Sequence, residues 1–532
     1  MIWNLGIENS EFGIKLIQTA MKKTVISAIM AFVASSTMAQ VASDAILFNR
    51  NDYEGTARLQ AMGGAFGALG ADLSSQTINP AGLASYRATE FAFSVGVNST
   101  NTNTDNFGFR HEDNKLSASL DQMGVSYAWG SENSFSHAFS INYTRMADYN
   151  RTSLYYDRNK NNSILDYMCI YPDNAFLGDL GFKAGVLADS YKDNEGNLVD
   201  CIHNVWEIPI GKNKVDQDAR ADANGGLIDH EKYVKERGSK GEIDFSYAIN
   251  ISPKLYLGAS IGVQSLTRRE KTLLHESFRD YDPLTIDGYY YDNINYATYL
   301  DQDGAGVNFS FGVIARPIQY IRLGAAIHSP TFFHIEESYS ADLTSFEGNA
   351  YSKHASSGEY EYEYRYYTPG RLDLSVAGVI GNYGIVSVDY EYSNYERGKF
   401  KEHDDDLSSD TWGYDEINNQ IKDTYGASHT LRIGAEVKPI ESLAIRAGYK
   451  MQNSPYDDSV TKYDYIHRSV SGGIGYRSNN FFVDLTYVNT LNQYDYWVLP
   501  NDGPNTYLYA DNEPAKGESK THKFMFTLGF RF

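Results

Sequence analysis

Thr521–Phe532, THKFMFTLGFRF, alternates without a break, placing Phe524, Phe526, Leu528, Phe530 and Phe532 on one face and Lys523, Met525, Thr527, Gly529 and Arg531 on the other. A period of two is the side-chain repeat of a β-strand. In water, such a strand at the end of a chain would be an apolar edge prone to pairing with other chains. In a bilayer the same face meets lipid, and closure into a barrel removes the edge.

The same template recurs upstream. Glu90–Asn98, Gln122–Gly130 and Phe135–Arg145 alternate in this way, the first with Phe91, Phe93, Val95 and Val97 against Ala92, Ser94 and Gly96. Pairs follow at Glu242–Ile251 with Lys254–Leu266, Gly304–Arg316 with Gln319–His328, and Arg371–Ile380 with Tyr383–Tyr392. Ser428–Val437 with Ser442–Met451 and His467–Arg477 with Asn480–Asn489 complete the set before the last strand. The expectation is an all-β fold, a transmembrane antiparallel barrel of about fourteen strands, the even number of single-chain bacterial barrels. Links alternate between turns of a few residues and long polar stretches, which predicts periplasmic turns, extracellular loops and both termini in the periplasm.

Composition agrees. Of 532 residues, 68 are Asp or Glu and 46 Lys or Arg, a formal net charge of -22, which argues against a nucleic-acid partner. The 43 tyrosines suit membrane interfaces, where amphipathic rings form belts. Beyond one short leader, no apolar run approaches the ~20 residues a spanning helix needs. That leader begins at Met21-Lys22-Lys23, continues through the apolar Val25–Ala34 and ends in small residues at Ala39. Residues 21–39 read as a signal peptide with Gln40 as mature start, and residues 1–20, which stand in front of a complete leader, as an untranslated or misassigned start. The outer membrane is the expected location, with lipid and the barrel assembly machinery as partners.

One stretch does not alternate. Ala61–Ala84, AMGGAFGALGADLSSQTINPAGLA, is nearly uncharged and holds Gly63, Gly64, Gly67, Gly70, Gly82 and six alanines. Small residues let backbones approach closely, which fits a confined space, and Asn79-Pro80 adds a rigid turn. Residues 40–89 are expected to form a hatch inside a barrel of residues 90–532, because the wall side chains of about fourteen strands do not fill their lumen.

The longest loop, 146–241, contains Phe176, Leu177, Leu180 and Phe182, which suit either capture of an apolar ligand or a cluster pinning the loop. It also holds Cys169 and Cys201, which could pair in an exported protein or remain free thiols. Asp157–Asn161 lacks the glycine and distal acid of a calcium loop and reads as a polar turn. Asp301–Gly304 and His403–Asp406 could hold calcium at the cell surface or be merely solvated acidic loop tips. Tyr360–Tyr367 fits a flat ligand or an interfacial tyrosine rim. No dinucleotide register or groupable triad is present, and neither catalysis, a cofactor nor a metal is expected.

The chain resembles the FadL/TodX family of outer-membrane transporters of long-chain fatty acids and other hydrophobic compounds. The resemblance rests on Gly63-Gly64-Ala65-Phe66, Asp72-Leu73-Ser74 and Asn79-Pro80-Ala81-Gly82-Leu83, with Gly306–Gly312, Arg322–Gly324, Ser329-Pro330 and Thr368-Pro369. It implies capture among the outer loops and a pocket near Asp44–Arg58. It also implies hatch-gated passage involving Arg58, Gly63, Gly64, Phe66, Asp72, Asn79, Pro80 and Ala81, with sideways exit at a kink in the third strand. Phe135–Arg145 contains no glycine or proline to mark one. Two alternatives stay open: a haem-binding surface receptor using His111, His203, His354 or His403, and a non-transporting surface or secretion-associated barrel.

Overall fold

The structure, a computed structural model, describes residues 44–106, 109–130, 135–159, 163–165, 168, 180–181, 183–184, 186–188, 191–192, 198–199, 202–203, 228–277, 293–347, 351–381, 383–402, 412–457, 466–496, 498–499 and 515–532. The leader, Phe176, Leu177, Phe182, Cys169, Cys201 and His403–Asp406 lie outside these.

Fourteen antiparallel strands close a barrel among the described residues. In chain order they are β1 Glu90–Asn106, β2 Phe109–Gly130, β3 Ser136–Asp148 continued as Arg151–Asn159, β4 Ile228–Ser252 and β5 Leu255–Ser277. Next come β6 Asn293–Ile318, β7 Ile321–His328 continued as Phe332–Glu347, β8 Tyr351–Tyr367 continued as Arg371–Ile380, and β9 Gly384–Asn394 continued as Lys399–Glu402. The wall ends with β10 Ala427–Ile440, β11 Leu443–Gln452, β12 Ile466–Arg477, β13 Phe481–Tyr496 and β14 Ala515–Arg531. Closure is made by β1 on β14, from Glu90↔Arg531 to Asp105↔Lys516.

Every segment located by alternation is the short-turn half of one of these strands. There the outward residues are large and apolar: Val95 and Val97 on β1, Phe309 and Phe311 on β6, and Phe524, 63% exposed, on β14. Their neighbours, Ser94, Ser140, Asn142, Ser246 and Thr527, are buried inside. Exposure of so much apolar surface in a continuous band is what a lipid-facing wall requires. Aromatic clusters mark its two edges, Tyr127, Trp129, His137 and Tyr247 at one and Tyr390, Tyr392 and His429 at the other.

The strands run well past this band, which corrects three sequence readings, of the 146–241 loop, the Asp157 turn and the Asp301 loop tip, and places Tyr360–Tyr367 on a strand. The 146–241 loop is shorter at both ends, since Arg151–Asn159 and Ile228–Gly241 are paired strand. Asp157–Asn159 is therefore strand rather than turn. Asp301–Gly304 lies within β6, and Tyr360–Tyr367 within β8. A polar strand beyond the bilayer loses the alternation that lipid imposes, so it looks like loop. β7 and β8 break side by side at Ser329–Thr331 and Thr368–Gly370, where Pro330 and Pro369 have no N–H for the ladder. Thr331 N donates to Thr368 Oγ1 (2.8 Å) and Thr368 N to the Thr331 carbonyl (3.1 Å), bridging the gap.

Inside the wall sits the hatch, residues 44–89. It contains a helix α1 over 44–49, a short helix α2 Ala57–Ala61, and 3-10 turns Leu73–Thr77 and Pro80–Ser85. A further helix, α3 Trp412–Thr424, packs on Lys399–Glu402 of β9 and on the turn Tyr395–Arg397.

Candidate functional site

The hatch is held in shape by its own caps. Thr56 Oγ1 accepts from Leu59 N (3.1 Å) to start α2, and donates to the Asp72 carboxylate (2.8 and 2.9 Å). Asp72 in turn caps Leu73–Thr77 through Ser74 N (3.0 Å). Burial raises the Asp72 carboxyl above its ordinary range, against the pull of Arg58 and Thr56. Asn79 caps Pro80–Ser85 through Ala81 N (3.1 Å), with Pro80 at the first helical position, where its missing N–H costs nothing. Asn79 Nδ2 reaches further, to the Gly67 carbonyl (2.7 Å) and the Val313 carbonyl of β6 (3.2 Å), tying the hatch to the wall.

Arg58 is buried and bonds Glu436 of β10 (3.3 Å) and the Ala71 carbonyl (2.8 Å), with its guanidinium over Phe66. Gly63 has φ +62°, and a Cβ there would lie 2.8 Å from Tyr449 N of β11. Gly64 is also left-handed and abuts Arg432. Phe66 packs with Leu59, Met62, Leu69 and Ile78 in an apolar knot inside the hatch. Thus all eight hatch residues singled out in the sequence serve its internal caps and knot or its docking to the wall. The matching feature of the wall was missed: inward Gly258, Gly324, Gly434 and Gly448 each leave room for hatch backbone, and Gly312 for the Asn79 side chain. Their positions on the inward phase of alternation were the available signal.

Two further attachments lie nearer the hatch amino terminus. Asp44 of α1 accepts from Arg268 (3.0 Å) and Gln302 (2.8 Å), and Lys240 Nζ donates to the Phe48 carbonyl (2.8 Å). Burial, with Glu337 and Glu236 nearby, pushes the Asp44 carboxyl up to about 6 despite Arg268. For Asp52, burial is outweighed by Arg50, Lys450 and His467, which hold its carboxyl below the usual range. Tyr53, a non-glycine residue at φ +53°, is clamped by Arg371 and Arg432 against its ring and by its hydroxyl bond to Glu391 (3.1 Å). Backbone in that region persists only where surroundings over-determine it.

The third strand holds the feature its sequence did not mark. The β2–β3 ladder runs from Gly130↔Ser136 only to Gln122↔Thr144. Beyond it, Thr144, Arg145, Met146 and Ala147 are consecutively buried, and the register on β4 slips between Arg145 and Ala147. β3 leaves β2 and bends inward with no glycine or proline. The hatch occupies the vacated edge: Asp52 N donates to the Met146 carbonyl (2.6 Å) and Glu54 N to that of Arg145 (2.9 Å). Charges close the seam around it. Glu54 meets Lys523 of β14 (2.9 Å) and Arg145 (3.7 Å), while Lys523 also binds Asp121 (3.0 Å), the extra residue of a β-bulge in β2.

Toward the long-loop end the lumen holds two apolar clusters beside the buried ion pairs of Arg268 with Asp44 and Glu236. One cluster surrounds α1, with Phe48 against Tyr366 and Phe400 and joined by Phe333, Ile335 and Ile421. A second contains Tyr155, Leu165, Met168, Leu180, Leu343 and Leu499. Leu180, one of the four apolar residues of the long loop, is buried there. Of the histidines considered for haem, His111 and His354 are exposed on β2 and β8, and His203 sits in a two-residue ladder with Leu187. Among the described residues no three His, Cys, Asp or Glu side chains gather as metal ligands.

No family profile and no curated protein matches the chain in sequence. Solved structures do match in fold. A Pseudomonas aeruginosa FadL homologue aligns over 90% of this chain and 98% of its own, with TM-score 0.52 and 11% identity. The toluene transporter TodX of P. putida (12% identity, TM-score 0.49) and the toluene transporter TbuX of Ralstonia pickettii (14%, 0.48) each cover 90% of this chain and 99% of their own. The fold is that of the FadL homologue, a hatch-filled transmembrane barrel.

Proposed function

We propose that the chain is an outer-membrane channel for passive uptake of hydrophobic small molecules, long-chain fatty acids among them. Residues 21–39 act as its export signal, short turns and both termini face the periplasm, and long strands and loops face outward. The observation that carries this reading is the juxtaposition of two apolar clusters in the lumen, a helix α1 seated in one of them, and a hatch segment closing a seam in the wall. A ligand leaving water for the lumen gains ~25 cal/mol per Å² of apolar surface. Displacing α1 would draw Asp52–Glu54 off β3 and open the seam toward lipid, so the compound need not re-enter water. The chain's own residues supply binding and gating only, and no catalytic step is assigned.

Reconstitution tests this. Proteoliposomes containing the mature chain should take up labelled oleate faster than empty liposomes, and faster than those carrying a chain whose hatch is locked by a Glu54→Cys, Arg145→Cys disulfide. Equal rates in all three would refute the reading.

A further inference from the structure

At the short-turn rim, beneath Arg58 of the hatch, the ends of β10, β11 and β12 border a shallow cleft open to solvent. Its inner wall is ionic. Arg58 binds Glu436 (3.3 Å), Glu436 binds Arg446 (2.6 Å) and Arg446 binds Asp484 (2.5 Å), a chain of two cations and two anions that is neutral in itself. Gly475 leaves the space this chain needs, since a Cβ there would collide with Asp484 and Arg446.

Two cations are left over. Lys438 Nζ stands 3.8 Å from Glu436, which already serves two arginines. Arg477 has no carboxylate within ion-pair distance among the described residues; its guanidinium lies 5.0 Å from the Phe482 ring centroid. Its backbone N–H donates to the Ser442 carbonyl (2.8 Å), which places the turn over the cleft. The carboxylates facing them besides Glu436 and Asp484 are Glu441, exposed on that turn, and Glu90 of β1, which is held by Arg531 (2.8 Å). Leu443 and Tyr476 stand on the outward phase at its rim, and Tyr476 is 49% exposed on the lipid-facing surface beside Phe481.

We propose that this cleft binds the phosphate of a glycerophospholipid in the adjoining leaflet. Arg477 and Lys438 take the phosphate, and the acyl chains follow Tyr476 onto the apolar band. A guanidinium fork matches phosphate oxygens in pairs, and the single negative charge of a phosphodiester offsets part of the surplus positive charge that the ionic chain leaves at Arg477 and Lys438. The bound phosphate sits under Arg58, so the lipid also braces the hatch from below. The site rests on the membrane-barrel reading but not on transport.

Delipidated protein in a neutral detergent is titrated with dihexanoyl phosphatidylglycerol, and separately with inorganic phosphate, using native mass spectrometry and calorimetry. Saturable lipid binding is expected, weakened about ten-fold or more in Arg477→Gln, Lys438→Gln, and retained in Arg477→Lys and in Lys235→Gln, Arg237→Gln at the opposite end. Phosphate that displaces the lipid assigns the affinity to the anion alone; phosphate that does not assigns it to the whole lipid. Equal binding by wild type and Arg477→Gln, Lys438→Gln, with both migrating as folded barrels in unheated gels, would overturn the site. Failure of oleate uptake with lipid binding intact would sink the transport reading and leave this one standing.

Discussion

Asn79 shows how one side chain joins two levels of structure. Its carbonyl oxygen caps a turn and its amide bonds both Gly67 and β6, so removing it leaves three backbone groups without this partner. Asn79→Ala should cost on the order of 1–3 kcal/mol of hatch docking, seen as faster proteolysis within residues 44–89 of an otherwise intact barrel. Asp44 and Asp52 set an opposed pH dependence. The folded Asp44 value, about 6, lies above its ordinary 3.8, so its share of docking is fully present below the unfolded value and lost as pH rises through about 6. Asp52 is shifted down, so its share is present above the unfolded value and lost only in strong acid. A nitroxide at Ile46 should therefore become more mobile between pH 5 and pH 7.5, roughly the span of the Asp44 titration, and Asp44→Asn should flatten that change. An unaltered pH response in Asp44→Asn would place the titrating group elsewhere.

Among elements, the seam between β2 and β3 is where the barrel departs from a plain cylinder. Its closure depends on two backbone bonds from the hatch and on Glu54 between Lys523 and Arg145. Glu54→Lys would set three cations together in a buried site, a loss of several kcal/mol by the usual penalty for an unmatched buried charge. The hatch segment should leave β3, and planar-bilayer recordings should show a larger and noisier conductance than wild type. The bend at Arg145–Ala147 was illegible in Phe135–Arg145, because no glycine or proline causes it. It arises where the hatch replaces β2 as the strand's partner, which is a contact between residues about ninety positions apart. The prolines at β7 and β8 were legible as breaks, because a missing N–H is a local property.

At the scale of the molecule, the outward apolar band requires detergent for solubility and the closed ladder predicts resistance to SDS until heated. Mature protein that remained dispersed without detergent would be incompatible with the barrel. Mass spectrometry of the exported chain should give Gln40 as its first residue. Alternation alone located fourteen spanning segments, since bilayer on one side and lumen on the other impose opposite polarity on successive residues. The small-residue stretch Ala61–Ala84 likewise declared a confined position, because bulk is excluded wherever backbone must lie against backbone. Alternation did not reveal the strand extensions, where both faces meet polar surroundings and the period disappears. Nor did it reveal the inward glycines as the hatch's seat, the ionic chain from Arg58 to Asp484, or the seam filled by residues 52–54. Those depend on which distant strands closure brings together, a decision that pairing energy makes across the whole ring and no single segment encodes.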